Sequence, residues 1–211
     1  MLYRTYQKII EIFREHNGYM SFSQLQSHRV TVLQLREMEE EGSVQRFARG
    51  WYWCRKCGIE KPKDYRYIEI AKVNPKAVFC LESACYLMGI LKKEPEIISV
   101  ATERTDRKKM EFDFPIRRFY LQNTGLPGEI CEIETEFGSY RCYSAERTLC
   151  DCLRMKEKFE LSVYREIVES IRKGNCEKQR VADFAGALRT WRNVREEFGE
   201  MYEMGKDTCV I

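Results

Sequence analysis

Long apolar runs are missing from this 211-residue chain, and no stretch reaches membrane-spanning length. No cationic leader or cleavage signal is present; MLYRTYQKIIEIF goes straight into an amphipathic pattern, which points to a cytoplasmic protein with no membrane partner. Histidine is scarce. The two in the chain, His16 and His28, both fall in the first 30 residues, so no Ser/His/Asp set can be built in the later part. Charge of one sign is lacking too, since 36 Lys and Arg against 33 Asp and Glu leave a net charge of +3. A nucleic-acid partner would therefore need basic residues gathered on one face. Internal repeats and low-complexity tracts are absent.

What is present is a globular composition, 44% hydrophobic and 33% charged, long enough for one or two domains with cores of their own. Ten cysteines without a secretory signal argue for reduced thiols rather than a disulfide framework. Cys80 and Cys85 in VFCLESACYL, and Cys150 and Cys152 in TLCDCL, read as small buried hydrophobes.

The stretch that organises the chain is RVTVLQLREMEEEGSVQRFARGWYW, Arg29 to Trp53. Ahead of it, Ile9, Ile10, Ile12 and Phe13 recur at helical spacing and Asn17-Gly18 stops that helix. Ser21 with Gln24, then Thr31 with Gln34, form two capping-box patterns that open a short second helix and a third. A helical wheel puts Val32, Leu35 and Met38 on the inner side of the third helix, with Leu33, Gln34, Arg36 and Glu37 outside. Gly42 ends it, and SVQRFARGWYW alternates as a hairpin turning at Ala48-Arg49-Gly50. This order predicts a winged helix-turn-helix over residues 1–57. In such a module Arg29, Thr31, Gln34 and Arg36 are candidates for base contacts, and Arg46 and Arg49 for phosphate or the minor groove. Glu37 and the run Glu39-Glu40-Glu41 oppose this, softened by their place in the C-terminal half of the helix. A winged helix used only for protein contacts is the plainer alternative.

A polar linker is expected over residues 54 to 66, and an α+β domain over 67–211. It includes a helix from about Pro75 to Met88, strands at 97–101 and 116–121, and a hairpin turning at Glu136-Phe137-Gly138. Three helices follow, two capped by Ser144 and Ser162 and a long one from about Lys178 to Tyr202. The overall class is α+β, an N-terminal winged helix-turn-helix followed by a mixed α+β domain.

Other constellations carry less. Arg104, Arg107, Lys108, Lys109, Arg117 and Arg118 make the most basic segment of the second domain, either a solvated hairpin tip or a second nucleic-acid surface. Cys54-x-x-Cys57 has metal-like spacing, yet no second pair follows, so two free thiols in a turn are the simpler assignment. Arg147 and Asp151 are i and i+4 on a helix, which predicts an ion pair rather than catalysis. A nucleotidyltransferase would need Gly-Ser followed by paired carboxylates; Gly138-Ser139 is followed at useful distance by Asp151 alone. A restriction-type nuclease would need a carboxylate strand ending in lysine, and Glu132-Ile133-Glu134 is followed by Thr135-Glu136. Neither enzyme pattern closes, so no catalytic residue and no cofactor is expected. A degenerate nucleotidyltransferase or nuclease remains the enzymatic rival.

With these segments laid out, the chain resembles the AbiEi-type antitoxins of bacterial type IV toxin–antitoxin (abortive infection) systems. Gly42, Arg46, Gly50 and Tyr52 match the family's wing signature; Leu81, Ser83, Ala84, Leu87 and Gly89 match a helix motif; Glu146, Arg147, Thr148, Leu149 and Asp151 match its ERTL-x-D segment. Val44 stands where the family often has leucine. The resemblance covers about residues 1 to 175, and neither the cysteines nor the chain beyond Lys178 is matched. It implies repression of the protein's own operon through inverted-repeat double-stranded DNA. It also implies antagonism of a nucleotidyltransferase toxin without a stable complex.

Overall fold

The computed structural model describes residues 1–174 and 176–199. The fold is mixed α+β, with helices and two sheets, and the chain divides into two units. Unit 1 holds Met1–Pro75, Arg107–Pro115 and Glu134–Tyr140; unit 2 holds Lys76–Asp106, Ile116–Ile133 and the chain from Arg141 onward. This differs from a contiguous split at 1–57 and 67–211, because two segments distant in sequence join the first unit through specific contacts. Phe114 sets its ring against Tyr65 and Asp113 accepts from Gln45. The carbonyls of Glu136 and Phe137 accept from Asn17 and Lys72.

Unit 1 begins with α1 (Tyr3–Glu15), whose Ile9, Ile10, Ile12 and Phe13 are buried as their spacing predicts. Gly18 follows at φ +77, with the Trp53 ring so close that a Cβ there would stand 2.4 Å from it. Only glycine fits both demands. Next come β1 (Tyr19–Ser21), α2 (Phe22–Ser27), α3 (Val32–Glu40), β2 (Val44–Ala48) and β3 (Trp51–Cys54). The strands pair antiparallel in the order β1-β3-β2, with Met20 opposite Tyr52 and a bulge between Arg46 and Ala48. Met20, Leu25, Val30, Leu35, Met38 and Val44 fill the core between the helices and this sheet.

The polar stretch after Cys57 leads into α4 (Tyr65–Val73), which begins at the end of the expected linker and continues where no element was predicted. Tyr67, Ile68, Glu69, Ile70, Ala71 and Val73 of this helix are all buried, so it has no broad polar face to announce it in the sequence. The buried Glu69 carboxylate is paired with Lys61 at 2.7 Å and accepts from the Tyr19 hydroxyl at 3.4 Å. Burial pushes its pKa up to about 6 despite the lysine.

Unit 2 contains β4 (Val78–Phe79), α5 (Leu81–Leu87), β5 (Ile98–Ala101), β6 (Ile116–Phe119), α6 (Ala145–Arg154), α7 (Leu161–Arg172), α8 (Lys178–Ala187) and α9 (Trp191–Phe198). With β7 (Ile130–Thr135) and β8 (Gly138–Tyr143) the strands order as β6-β5-β4-β8-β7. The expected helix from Pro75 is a short strand first, because Val78 and Phe79 pair with β5 on one side and β8 on the other. Strands β5 and β6 run parallel, so the basic segment between them is a crossover and not a hairpin tip. The expected long helix from Lys178 breaks at Arg189, which has φ +56, leaving α8 and α9; its predicted end at Tyr202 lies outside the described residues. The helix predicted from a Ser162 cap starts two residues earlier, with Glu160 at the cap position and no side-chain cap bond. α6 packs on α5, α8 and α9 and is the centre of this unit's core.

Candidate functional site

Two consecutive capping boxes set the geometry of α2 and α3. The Ser21 hydroxyl accepts from the Gln24 amide at 3.2 Å while the Gln24 side chain accepts from the Ser21 amide at 2.8 Å. At α3 the Gln34 amide donates to Thr31 Oγ1 at 3.3 Å, and the Thr31 amide donates to Gln34 Oε1 at 2.8 Å. Each box satisfies amides that a helix start leaves without partners. Between the helices, Arg29 takes φ +62 and Val30 turns into the core, its amide donating to the Leu25 carbonyl at 3.0 Å. The turn is thus sharp, and one hydrophobic plug holds it.

Leu35 and Met38 face inward, as the wheel predicts. Val32 does not; it is 62% exposed, and Leu33 beside it is 67% exposed. The reason is local. Val30, one residue ahead of the cap, already fills the space beneath the first turn, so Val32 at the first helical position is left outside. Arg36 lies on the exposed side of α3, and neither Arg29 nor Arg36 has a side-chain partner among the described residues.

Arg29 and Gln34 share a groove with His28 and with Arg4 and Lys8 of α1, about 400 Å³ in volume. No carboxylate lines it, but Glu11 and Glu15 line the adjoining groove that shares Lys8, His28 and Arg29. Sequence reasoning assigned the polar face of α1 to solvent and so missed Arg4 and Lys8; the only signal was their i, i+4 spacing on that face. Arg46 is exposed on β2, its Nε donating across the bulge to the Ala48 carbonyl at 3.4 Å, and Arg49 is exposed in the turn beside Gly50. The strands beneath are stiffened by Tyr19 against Trp53 at 4.4 Å and against Phe47 at 5.5 Å. The start of α2 is tied to the turn, because the Phe22 amide donates to the Gly50 carbonyl at 2.8 Å. The structure therefore joins Thr31 to Gln34 and brings Gln34 together with Arg29. Among the described residues, no hydrogen bond or ion pair links these to Arg46 and Arg49.

The second basic set is divided. Arg107, Lys108 and Lys109 belong to unit 1, whereas Arg104, Arg117 and Arg118 belong to unit 2. Arg118 donates to the Asp106 carbonyl at 3.4 Å, and burial raises the Glu82 pKa against the opposing charge of Arg117. Cys54 and Cys57 are both buried in the core of unit 1, with the Cys57 thiol donating to the Cys54 carbonyl at 3.2 Å. Burial pushes the Cys54 thiol up to about 12, which disfavours the thiolate a metal requires. Among the described residues no group of three His, Cys, Asp or Glu side chains gathers.

In unit 2 the expected ion pair forms, inside a larger buried set. Arg147 is 0% exposed; it donates to Asp151 at 2.8 Å and to the Gln122 carbonyl at 2.9 Å, pairs with Glu129, and stacks 4.7 Å from the Tyr143 ring centre. Glu129 also accepts from the amides of Thr124 and Gly125, and Arg154 takes the other Asp151 oxygen at 2.6 Å. Both carboxylates are fully engaged by the protein itself, an arrangement suited to holding a core rather than to binding a substrate.

Among the described residues, no helix is long and apolar enough to cross a membrane. Comparison with known protein families finds no match, and comparison with curated proteins finds none. Among solved structures, the fold is similar to the crystal structure of RV2827C protein from Mycobacterium tuberculosis, with a TM-score of 0.64 and 12% identity, covering 90% of this chain and 74% of that one. At that identity the likeness is one of fold.

Proposed function

We propose that this chain is a DNA-binding antitoxin and transcriptional autorepressor of a type IV toxin–antitoxin operon, and not an enzyme. Its first unit acts as a winged helix-turn-helix, with α3 as the recognition helix and the β2–β3 hairpin as the wing. One observation carries the DNA reading: α2, its plugged turn and α3 are locked by two capping boxes, while Arg29 and Arg36 stand outside with no partner among the described residues. A free guanidinium on a rigid helix is suited to a paired contact with a guanine edge. The groove lined by Arg4, Lys8 and Arg29 supplies the phosphate-side charge, with Glu11 and Glu15 in the adjoining groove as its counterweight. The antitoxin role rests on the AbiEi resemblance of the three sequence motifs.

The test is a mobility shift of the full chain on the DNA upstream of its own gene, across a salt series. Arg29→Ala is expected to weaken binding by about 1–3 kcal/mol and to relax specificity at one position. Arg49→Ala should weaken binding to all sequences alike and lower the salt slope by about 1. Unchanged binding in both variants would refute the assignment. Co-expression with a neighbouring nucleotidyltransferase should restore growth without the two proteins co-purifying. A second reading, a protein-docking module, is favoured by the exposed Val32 and Leu33; it predicts no shift at physiological salt.

A further inference from the structure

The capping box at the start of α3 changes which side chains are able to read a base. Thr31 Oγ1 and Gln34 Oε1 are both engaged by backbone amides, so the cap holds the Gln34 side chain back along the helix start and disfavours the paired donor–acceptor contact that identifies adenine. What this turn presents outward instead is apolar: Val32 at 62% and Leu33 at 67% exposure. Arg36 is i+4 from Val32 and i+3 from Leu33, so the three share one face of the helix. Large aliphatic side chains beside a free cation, next to a groove lined by Arg4, Lys8 and Arg29, form a surface with both apolar and anion-binding character.

Duplex DNA offers one apolar feature in its major groove, the C5 methyl of thymine. Three residues of helix rise about 4.5 Å. That spans one to two base steps of about 3.4 Å. Resting on the DNA-binding reading above, we propose that Leu33, supported by Val32, is a specificity-determining residue that reads a thymine methyl, while Arg36 reads a guanine one or two steps away. The operator half-site then contains a thymine whose methyl, and not its hydrogen-bonding edge, is recognised. Charge complementarity favours DNA as the occupant, because Arg4, Lys8, Arg29 and Arg36 flank the patch and outnumber Glu40, the exposed carboxylate one turn beyond Arg36.

The experiment uses the full chain and its upstream DNA, with each thymine of the footprint replaced in turn by deoxyuridine, which removes the methyl alone. One position per half-site is expected to lose affinity about 3- to 5-fold, the effect of one buried methyl. Leu33→Ala should cause a similar loss on unmodified DNA and erase the deoxyuridine effect, whereas Arg36→Ala should retain it. Because Leu33 is exposed, its replacement leaves the thermal midpoint unchanged, and that measurement accompanies the binding series. Tight binding with every deoxyuridine neutral overturns the methyl assignment and leaves the DNA reading intact. Leu33→Ala that keeps the deoxyuridine effect overturns it too. If Leu33→Ala instead dissociates a dimer in sedimentation and the deoxyuridine series stays flat, the patch belongs to a second copy. No binding to the upstream DNA overturns both the inference and the function it rests on.

Discussion

Arg147 of α6 is surrounded by Glu129, Asp151, the Gln122 carbonyl and the Tyr143 ring; Arg36 of α3 has none of this and points into solvent. The two side chains are chemically identical and their helices are both capped by a hydroxyl three residues ahead of the residue whose amide it receives. Burial makes the difference. A guanidinium removed from water must find its counter-charges within the fold, and once it has them it has nothing left to offer a partner. A guanidinium left outside contributes little to stability and keeps its donors for a ligand. The contrast separates a cation that maintains the fold from cations suited to recognition.

The sharpest way to break this contrast is Arg147→Met. It leaves Glu129 and Asp151 buried without their shared cation, and a loss of about 3–5 kcal/mol is expected in urea denaturation. A loss below 1 kcal/mol would show that the buried set is dispensable. Lys61→Met is expected to cost about 1–1.5 kcal/mol at neutral pH, the most that a Glu69 carboxylate titrating at about 6 can lose there when its partner goes and it takes up a proton. Its pH dependence has a definite sign. The folded Glu69 titrates near 6 against an ordinary value of 4.5, so between those values the unfolded chain releases its proton first. This group's contribution to stability therefore falls as pH rises through that window and levels off above it. Removing Lys61 pushes the folded value higher, so the variant should lie close to the parent near about pH 4 and diverge by about pH 8; the reverse trend would contradict the pairing.

Arg36→Ala should show the opposite pattern to Arg147→Met. DNA affinity drops by about 1–3 kcal/mol, while folding stability stays within about 0.5 kcal/mol of the parent. The smallest effect distinguishes the two properties within one residue. Arg29 holds a left-handed backbone that costs an L side chain energy, so Arg29→Gly should stabilise the fold by about 0.5 kcal/mol while weakening DNA binding. Loss of stability in thermal unfolding would mean that the arginine side chain supports the turn.

Legibility in the sequence follows the range of the interactions concerned. The two capping boxes, Gly18, the stop at Gly42 and the β2–β3 hairpin all depend on residues a few positions apart, and each was visible in the sequence. The Arg147–Asp151 pair was visible for the same reason, but Glu129 and Gln122 were not, since nothing local connects them to α6. Helix α4 was hidden because it is buried nearly all round and lacks the polar stripe by which helices are recognised. The basic run 104–118 looked like a hairpin tip because sequence spacing cannot tell an antiparallel return from a parallel crossover.

Taken alone, the sequence determined the capped helices, the glycine stops, the alternating hairpin and the list of cations, because backbone amides and carbonyls near each of these find partners within a turn of chain. The tertiary structure decided which cations are spent and which are free, that Val30 and not Val32 fills the space beneath α3, and that residues 107–115 and 134–140 belong with the first unit. Those outcomes depend on contacts such as Asn17 with Glu136, between residues that only the folded chain brings together.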